Sequence, residues 1–394
     1  MLENAKRLIA PSLRSEVPPF IVMDVMAAAA KIEAAGGHVI HMEVGQPAAS
    51  APSAALDAAR AALSGSYLGY TEALGVPSLR QRIARHYDEQ YGFPIDPGRI
   101  IVTTGSSGGF ILAFLALFEA GDRVALANPG YPPYRHILSA LGCEPVLIQT
   151  SAETRWAMTP DALLAEHRRK PLKGVLVASP ANPTGTMMRT AALRALIDAA
   201  EAEGIRVISD EIYHGLDYAF AAETAARLSP NATVVNSFSK YFCMTGWRVG
   251  WLVAPEILVR PIERLQQNLA ISVPTLSQIA AAAAFDGREE MESVKHGYEE
   301  NRRILLEGLP KIGFDRFLPV DGAFYLYVDV SRFTSDSIDF AQRMLEEAGV
   351  ATTPGLDFDP LHGKEFLRFS YAGSADHMRE AVERIGQWMQ KKGA

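Results

Sequence analysis

The chain has 394 residues, more than one hydrophobic core usually supports, so we expect two closely packed domains. Hydrophobic residues make up 48% of it and charged residues 21%, a composition that excludes a disordered or fibrous protein. The formal net charge of -7 provides no general attraction to nucleic acid or to anionic membranes, so any cationic site must be local.

The N-terminus and the apolar runs predict neither a targeting signal nor a membrane span. Charged residues such as Glu3, Lys6 and Arg7 interrupt the apolar residues at the N-terminus, unlike the core of a signal peptide. The longest apolar run, 110–118, has about half of the roughly 20 residues that a membrane span needs. We therefore expect a cytoplasmic protein that binds no membrane.

Short β-branched runs recur between residues 100 and 254 and predict strands. They cover residues 100–104, 123–127, 146–149, 174–179, 206–209, 233–237 and 250–254. Stretches with helical spacing separate several of them, at residues 107–119, 134–141 and 190–203. This alternation predicts an α/β domain with a mostly parallel central sheet flanked by helices.

After about residue 285 the pattern becomes that of a smaller α+β domain. We expect helices at 289–309, 337–348 and 375–390, and strands at 323–328 and 366–370. The segment before residue 45 is too short to fold alone, so we expect it to pack with this domain. The predicted division is a large domain at 46–285 and a small domain formed by 286–394 together with 1–45.

Ligands of a parallel sheet bind beyond the carboxyl ends of its strands, so the residues that follow each strand are the first candidates for a site. Gly105, Ser106 and Ser107 follow the strand at 100–104 and precede a helix. The free N–H groups and the dipole at the start of a helix favour a phosphate. By itself such a turn is more often only a tight connection.

Three further strand ends carry polar side chains. Asn182 lies in a rigid turn after 174–179, Asp210 and Tyr213 follow 206–209, and Lys240 and Arg248 follow 233–237. Separately they are consistent with a turn, a helix cap and solvated surface residues.

Together with the phosphate turn, these residues supply an amine, a carboxylate, a phenol, an amide and a guanidinium, which is the set that pyridoxal phosphate requires. The lysine must lose its proton to form a Schiff base, and the pKa of a lysine falls readily when water is excluded. The carboxylate keeps the pyridine nitrogen protonated, so that the ring can accept electrons.

The sequence resembles the class I/II aminotransferases, the fold type I pyridoxal-phosphate enzymes that include aspartate aminotransferase, over nearly its whole length. The motifs that carry the resemblance are Val44-Gly45-Gln46-Pro47, Tyr70 with Gly75-Val76-Pro77-Ser78-Leu79-Arg80, Asn182-Pro183-Thr184-Gly185, Asp210-Glu211-Ile212-Tyr213, Ser237-Phe238-Ser239-Lys240, Gly246-Trp247-Arg248-Val249-Gly250 and Arg368-Phe369-Ser370-Tyr371-Ala372. It implies a reaction that moves an amino group between an L-amino acid and a 2-oxo acid by a ping-pong mechanism.

The resemblance implies a role for each residue around the cofactor. Lys240 is the Schiff-base lysine and then carries the proton between the substrate and the cofactor. Asp210 pairs with the pyridinium nitrogen, while Asn182 and Tyr213 hydrogen-bond the phenolic oxygen. Tyr131, with Tyr134 close by, stacks on the ring. The phosphate is held by Gly105, Ser106, Ser107, Ser237 and Arg248.

The resemblance also implies a substrate clamp and a second subunit. Arg368 grips the substrate's α-carboxylate with two hydrogen bonds, assisted by Asn182 and by the backbone at Gly45. Tyr70 reaches the phosphate of the neighbouring subunit in a homodimer. Residues 17–21 form an apolar edge of the pocket. No residue identifies a second carboxylate clamp, so aspartate, alanine, aromatic and branched amino acids all remain candidate substrates.

Other functions use the same residues. Carbon–sulfur lyases and further fold type I enzymes need the same cofactor set, since the cofactor supplies the same carbanion. A pyridoxal-phosphate-sensing regulator would need a DNA-binding domain ahead of residue 20, where we expect no room for one, and a basic surface. Cys143, Cys243 and the nine histidines lack metal-site spacing, so we expect no metal.

Overall fold

The computed structural model of the protein describes residues 10–65 and 67–392 and contains one large sheet and two small ones. In chain order the strands are β1 (Ile40–His41), β2 (Ile100–Thr103), β3 (Arg123–Asn128), β4 (Glu144–Gln149), β5 (Gly174–Ala178), β6 (Arg206–Asp210), β7 (Thr233–Ser237), β8 (Gly250–Val253), β9 (Tyr325–Asp329), β10 (Val350–Ala351), β11 (Thr353–Pro354) and β12 (Phe366–Ser370). The large sheet has the order β2-β8-β7-β6-β5-β3-β4. β8 is antiparallel to both neighbours and the other neighbouring pairs are parallel, so the predicted mostly parallel sheet is confirmed.

Helices cover both faces of this sheet, because its strands are apolar on both sides. Ile100 and Val102 pack into the core on one face, while Ile101 and Leu176 pack into the core on the other. The helices of the molecule are Ile21–Ala34, Ser53–Gly65, Pro77–Tyr91, Gly105–Leu117, Pro132–Ala140, Pro160–Arg169, Thr190–Ala202, Ala225–Leu228, Glu256–Leu269, Thr275–Ala284, Arg288–Gly308, Ser337–Arg343 and Ala375–Lys391. This layering is the predicted α/β class.

The C-terminal part has its own antiparallel sheet, β11-β12-β9, and its own core. Arg368 on β12 lies opposite Tyr327 on β9 and Thr353 on β11. The helices Arg288–Gly308 and Ala375–Lys391 pack against each other beside this sheet. The predicted smaller α+β unit is therefore present.

The N-terminal segment joins this C-terminal part through the backbone. Ile40 of β1 pairs in parallel with Val350 of β10, and Ala29 packs with Leu345 and Ala351. This pairing supports our proposal that residues 1–45 belong with 286–394; the boundaries themselves stay a prediction, and residues 1–9 lie outside the described part.

Some predicted boundaries differ from the structure for local reasons. The helix expected at 107–119 begins at Gly105, two residues earlier, which places Ser106 and Ser107 in its first turn. The strand expected at 323–328 begins at Tyr325, because Ala323 has a φ of 58° that no strand tolerates. The helix expected at 337–348 is α-helical only to Arg343 and continues as a π-helical turn, Met344–Ala348. Across the described residues, no helix combines the length and the apolar character needed to span a bilayer.

Candidate active site

A cavity of about 240 Å³ lies where the carboxyl ends of the large sheet's strands meet the C-terminal part. It brings together most of the predicted site residues from separate regions of the sequence. Those that line it are Gly45, Ser106, Ser107, Tyr131, Asn182, Asp210, Tyr213, Lys240, Arg248 and Arg368. The strand-end rule accounts for all of them except Gly45 and Arg368, which the N-terminal segment and β12 contribute.

Lys240 lies in the turn that follows β7. The Ser237 hydroxyl accepts the Ser239 N–H at 3.1 Å and fixes that turn. The Lys240 Nζ donates to the Gly45 carbonyl at 2.6 Å. Burial, together with the charges of Arg368 and Arg248, lowers the pKa of Lys240 to about 8, although Asp210 opposes the shift. At pH 7 about a tenth of this amine is therefore unprotonated, far more than for an exposed lysine.

Asp210 ends β6 and is only 3% exposed. Its Oδ2 accepts the Tyr134 hydroxyl and its Oδ1 accepts the Ile212 N–H at 3.0 Å. Burial raises the pKa of Asp210 to about 6, while these two hydrogen bonds and Lys240 lower it. Among the described residues no cation contacts the carboxylate directly, which leaves it able to accept a charged N–H from a ligand.

The start of the helix Gly105–Leu117 lies directly against the Arg248 side chain. No side chain caps this helix, so its first N–H groups are available to a ligand. Gly105 has a φ of 66°, and a Cβ there would lie 2.4 Å from the Arg248 Nη2. Arg248 itself has a left-handed φ of 51° and donates from Nη1 to the Thr245 carbonyl at 2.9 Å. The guanidinium is thus held against the helix start, where an anion would meet both.

Arg368 is 2% exposed and is therefore buried, unlike most arginines. Its Nη1 donates to the Asn182 Oδ1 at 2.9 Å, and its Nη2 donates to the Glu43 carbonyl and to the Thr353 Oγ1. The guanidinium carbon lies 4.4 Å from the centre of the Tyr325 ring. Its Nε has no partner within the described residues. A buried guanidinium with an unfilled donor is suited to a carboxylate.

Three predicted residues occupy other places. Gly105 shapes the helix start but does not line the cavity, and Ser237 directs its hydroxyl to Ser239 and to the Val249 carbonyl. Tyr70 is 83% exposed and does not line the cavity of its own chain. The roles given to these residues stay predictions.

The sequence did not indicate several residues that line the cavity. The Tyr325 hydroxyl lies 2.8 Å from the Tyr213 hydroxyl, and Ser239 precedes Lys240. Phe20 belongs to the apolar edge expected at residues 17–21, whereas Val22 and Met23, which also line the cavity, lie beyond it. Tyr325 lies on a separate sheet, and no spacing in the sequence marks it.

The charges of the cavity favour an anionic ligand. Its lining contains Lys240, Arg248 and Arg368 but a single carboxylate, Asp210. In the part of the chain that the structure describes, no group of three or more His, Cys, Asp or Glu side chains is arranged to hold a metal ion. The arrangement can hold one anion at the helix start and a second at Arg368, with an amine between them.

Comparisons with known proteins extend over almost all of the chain. The model of the family Aminotransferase class I and II matches residues 37–385. The valine–pyruvate aminotransferase of Mycobacterium tuberculosis is 50% identical over 382 residues, which are 96% of this chain and 98% of that protein. The crystal structure of an aminotransferase from Mycobacterium tuberculosis superposes with a TM-score of 0.94 at 50% identity and covers 97% of this chain and 99% of its own. Aspartate aminotransferase from Thermus thermophilus with maleate gives a TM-score of 0.90 at 30% identity, with 96% and 99% covered.

Proposed function

The chain belongs to the class I and II aminotransferases and is a transaminase of this pyridoxal-phosphate-dependent family, and from this premise we propose that it exchanges the amino group of valine, or of a similarly small apolar amino acid, with pyruvate. The relative from Mycobacterium tuberculosis is named for this pair of substrates. The observation that carries the proposal is that the described residues lining the cavity include no cation beyond Lys240, Arg248 and Arg368 that could pair with a second substrate carboxylate.

The residues present fit pyridoxal phosphate. Arg248 and the start of the helix at Gly105 accommodate a phosphate, with Ser106 and Ser107 beside them. Asp210, buried and free of any direct cation contact in the described residues, suits a protonated ring nitrogen. Lys240 is the attachment point, since its lowered pKa favours the nucleophilic amine. When bound, the cofactor supplies an electron-withdrawing ring that makes the substrate's α-hydrogen acidic.

The substrate's α-carboxylate binds to Arg368. The Asn182 side chain holds the guanidinium at 2.9 Å from one side, and the neighbouring aromatic rings exclude water from it. A two-pronged pair of hydrogen bonds fixes both the position and the plane of the carboxylate. Arg368 and Lys240 line the same cavity, so a substrate bound to Arg368 is held in the cavity that contains the amine.

Lys240 then acts as the base and the acid. With the cofactor bound, the Lys240 amine would take the proton from the substrate's α-carbon as a base and give the proton up again as an acid. A base with a pKa of about 8 is well matched to this task near neutral pH. No feature of the described cavity favours the carbon–sulfur lyase alternative.

The side chain of the substrate meets an apolar surface. Arg248 is assigned to the phosphate and Arg368 to the α-carboxylate, so no described lining residue remains to neutralise a second carboxylate. Phe20, Val22 and Met23 are among the other residues that line the cavity. An acidic side chain would lose its hydration there without compensation, whereas an alkyl side chain gains from burial.

The test is a spectroscopic half-reaction with single amino acids. Purified holoenzyme is mixed with valine, alanine, aspartate or phenylalanine in the absence of any 2-oxo acid, and the absorbance of the cofactor is followed; a Lys240→Ala variant serves as the control. We expect valine to convert the cofactor fastest and pyruvate to reverse the conversion. A preference for aspartate, or release of ammonia, would overturn the proposal.

We also propose that the protein is a homodimer in which Tyr70 completes the phosphate site of the other subunit. Large side chains close to Tyr70 in the sequence support this proposal, because Leu63, Tyr67 and Leu68 are also exposed. Exposed patches of large apolar side chains mark protein–protein interfaces.

A further inference from the structure

The helix Ile21–Ala34 begins without a cap of its own. Phe20 occupies the capping position, and its side chain cannot accept a hydrogen bond. The N–H groups of Ile21 and Val22 donate instead to the two carboxylate oxygens of Asp357, each at 3.3 Å. Unpaired N–H groups at a helix start favour a carboxylate both as an acceptor and as a charge. Asp357 therefore caps a helix from a position more than 300 residues away in the sequence.

Asp357 also lies beside the substrate clamp. It ends the short turn Gly355–Asp357 and is 1% exposed. Its carbonyl accepts the Arg135 Nη2 at 2.6 Å. The ring of the next residue, Phe358, has its centre 4.7 Å from the guanidinium carbon of Arg368. The same turn thus holds the helix start on one side and supports the predicted carboxylate-binding arginine on the other.

The first turn of this helix faces the cavity. Phe20, Val22 and Met23 line it, and the Phe20 ring meets Tyr131 edge to face at 5.9 Å between centroids. These side chains are the apolar surface assigned to the substrate's side chain. Because the first turn is where an uncapped helix frays, their position depends on Asp357.

We propose that Asp357 is a positioning residue for substrate selection: it fixes the first turn of the helix Ile21–Ala34, and so makes Phe20, Val22 and Met23 a rigid wall that recognises an alkyl side chain. The inference rests on the proposed function for the identity of the substrate. The contact between Asp357 and the helix is independent of that identity.

A purely structural cap and a positioning residue differ in what they change. A purely structural cap affects stability and leaves the relative rates on two substrates alone. A positioning residue changes the discrimination between substrates that differ only in the part touching the wall, since discrimination by alkyl groups is worth about 10- to 200-fold when the pocket is well formed. Valine and alanine are such a pair.

The experiment compares Asp357→Ala, Asp357→Asn and Asp336→Ala as holoenzymes. Asp336 caps the helix Ser337–Arg343 through the N–H groups of Ile338 and Asp339, at 3.0 and 3.3 Å, and it does not line the cavity. Asp336→Ala therefore controls for the loss of a helix cap alone. Asp357→Asn keeps one of the two acceptor oxygens, and asparagine caps helices about as well as aspartate.

In Asp357→Ala we expect the valine-to-alanine ratio of kcat/KM to fall about tenfold, mainly through the KM for valine. Asp357→Asn should retain most of the ratio, and Asp336→Ala all of it. Hydrogen exchange of the amides at 20–25 should rise in Asp357→Ala only. Phe20→Ala, which removes part of the wall and leaves the cap intact, should lower the ratio without that rise in exchange.

An unchanged ratio in Asp357→Ala, or unchanged exchange at 20–25, overturns the inference. If Asp357→Ala does not fold, an unchanged ratio in Phe20→Ala overturns it, because the wall would then not select. Failure of the proposed function looks different: wild-type enzyme would leave valine unconverted. In that case the best amino acid replaces valine in the ratio, and the exchange measurement still decides whether Asp357 holds the helix.

Discussion

At the scale of single residues, burial shifts the pKa values of Asp210 and Lys240 in opposite directions. Removal of water raises the pKa of Asp210 to about 6 and lowers that of Lys240 to about 8. The carboxylate is still largely ionised at neutral pH because the Tyr134 hydroxyl and the Ile212 N–H stabilise its charge. The ionisation state of Asp210 therefore depends on a tyrosine that does not itself titrate near neutral pH.

Tyr134→Phe should raise the pKa of Asp210 further. A hydrogen bond to a charged group is worth about 1.5–3 kcal/mol, which corresponds to about one to two pKa units. Only the ionised carboxylate pairs with a ring N–H, so affinity for pyridoxal phosphate falls as the pH drops through the pKa of Asp210. We expect that fall to begin about one to two pH units higher in Tyr134→Phe than in wild type, with equal affinities at pH 9.

Equilibrium titration of the cofactor-free proteins by absorbance, from pH 5 to 9, measures this shift. Tyr131→Phe is the matched control, because the Tyr131 ring lies against the Tyr134 ring. Of these two tyrosine hydroxyls, only that of Tyr134 contacts Asp210. Superimposable curves for wild type and Tyr134→Phe would show that this hydroxyl does not set the ionisation of Asp210.

Some polar residues of the cavity could be predicted from the sequence and others could not. Asn182, Asp210, Lys240 and Arg248 follow strands, so a general rule about parallel sheets brings them together. Tyr325 and Asp357 lie in the C-terminal part, and their partners lie more than 100 residues away. Nothing local in the sequence encodes contacts of that range, so only the folded chain shows them.

At the scale of elements, the junction between β2 and the helix Gly105–Leu117 combines a backbone requirement with a steric one. Gly105 has a left-handed φ, and a side chain there would meet the Arg248 guanidinium. Gly204 also has a left-handed φ, of 68°, but no atom lies within 4 Å of the position that a Cβ would occupy. A substitution at Gly204 therefore meets only the backbone restriction. The two glycines separate the two effects.

Gly105→Ala should lose both stability and affinity for pyridoxal phosphate, whereas Gly204→Ala should lose stability alone. Both variants force alanine into the left-handed region, which costs roughly 1–2 kcal/mol. Gly105→Ala must also displace Arg248, which would weaken its charged hydrogen bonds to the phosphate. We therefore expect an additional loss of at least about tenfold in affinity for pyridoxal phosphate. Thermal unfolding and cofactor titration measure the two losses. Equal cofactor affinity in both variants would contradict the proposed anion site.

Elements were easier to predict where composition alone decides them. The β-branched runs gave the strands of the large sheet to within two residues, because strands buried on both faces are almost continuously apolar. The direction of β8 could not be predicted, since the 12 residues that join it to β7 suit either a hairpin or a crossover. Helix starts were also difficult, because Gly105 and Ser106 have low intrinsic helix propensity.

At the scale of the whole molecule, each active site of the proposed dimer contains residues from both chains. Tyr70 is exposed in the single chain and Lys240 lies in the cavity. If Tyr70 serves the other subunit, two inactive variants can complement each other. This follows from the twofold symmetry of most homodimers, in which both sites use the same pair of surfaces.

Mixed dimers of Lys240→Ala and Tyr70→Ala subunits should regain activity. One site of the hybrid carries both substitutions, and the other has an intact Lys240 and an intact Tyr70. Co-expression with two different tags, followed by sequential purification, isolates the hybrid for rate measurements. The parental dimers are the controls. A hybrid as inactive as both parents would place Tyr70 in its own chain's site.

The pairing of β1 with β10 has a consequence for how the chain is made. Ile40 leaves the ribosome long before its partner Val350 is synthesised. At about 5–20 residues per second, the interval is roughly 15 to 60 s. Once residue 253 has been made, the large sheet has all of its strands, while the N-terminal segment still has no partner for its edge. We expect nascent chains stalled between residues 253 and 350 to be cleaved by proteases near β1 and to resist cleavage within the large sheet.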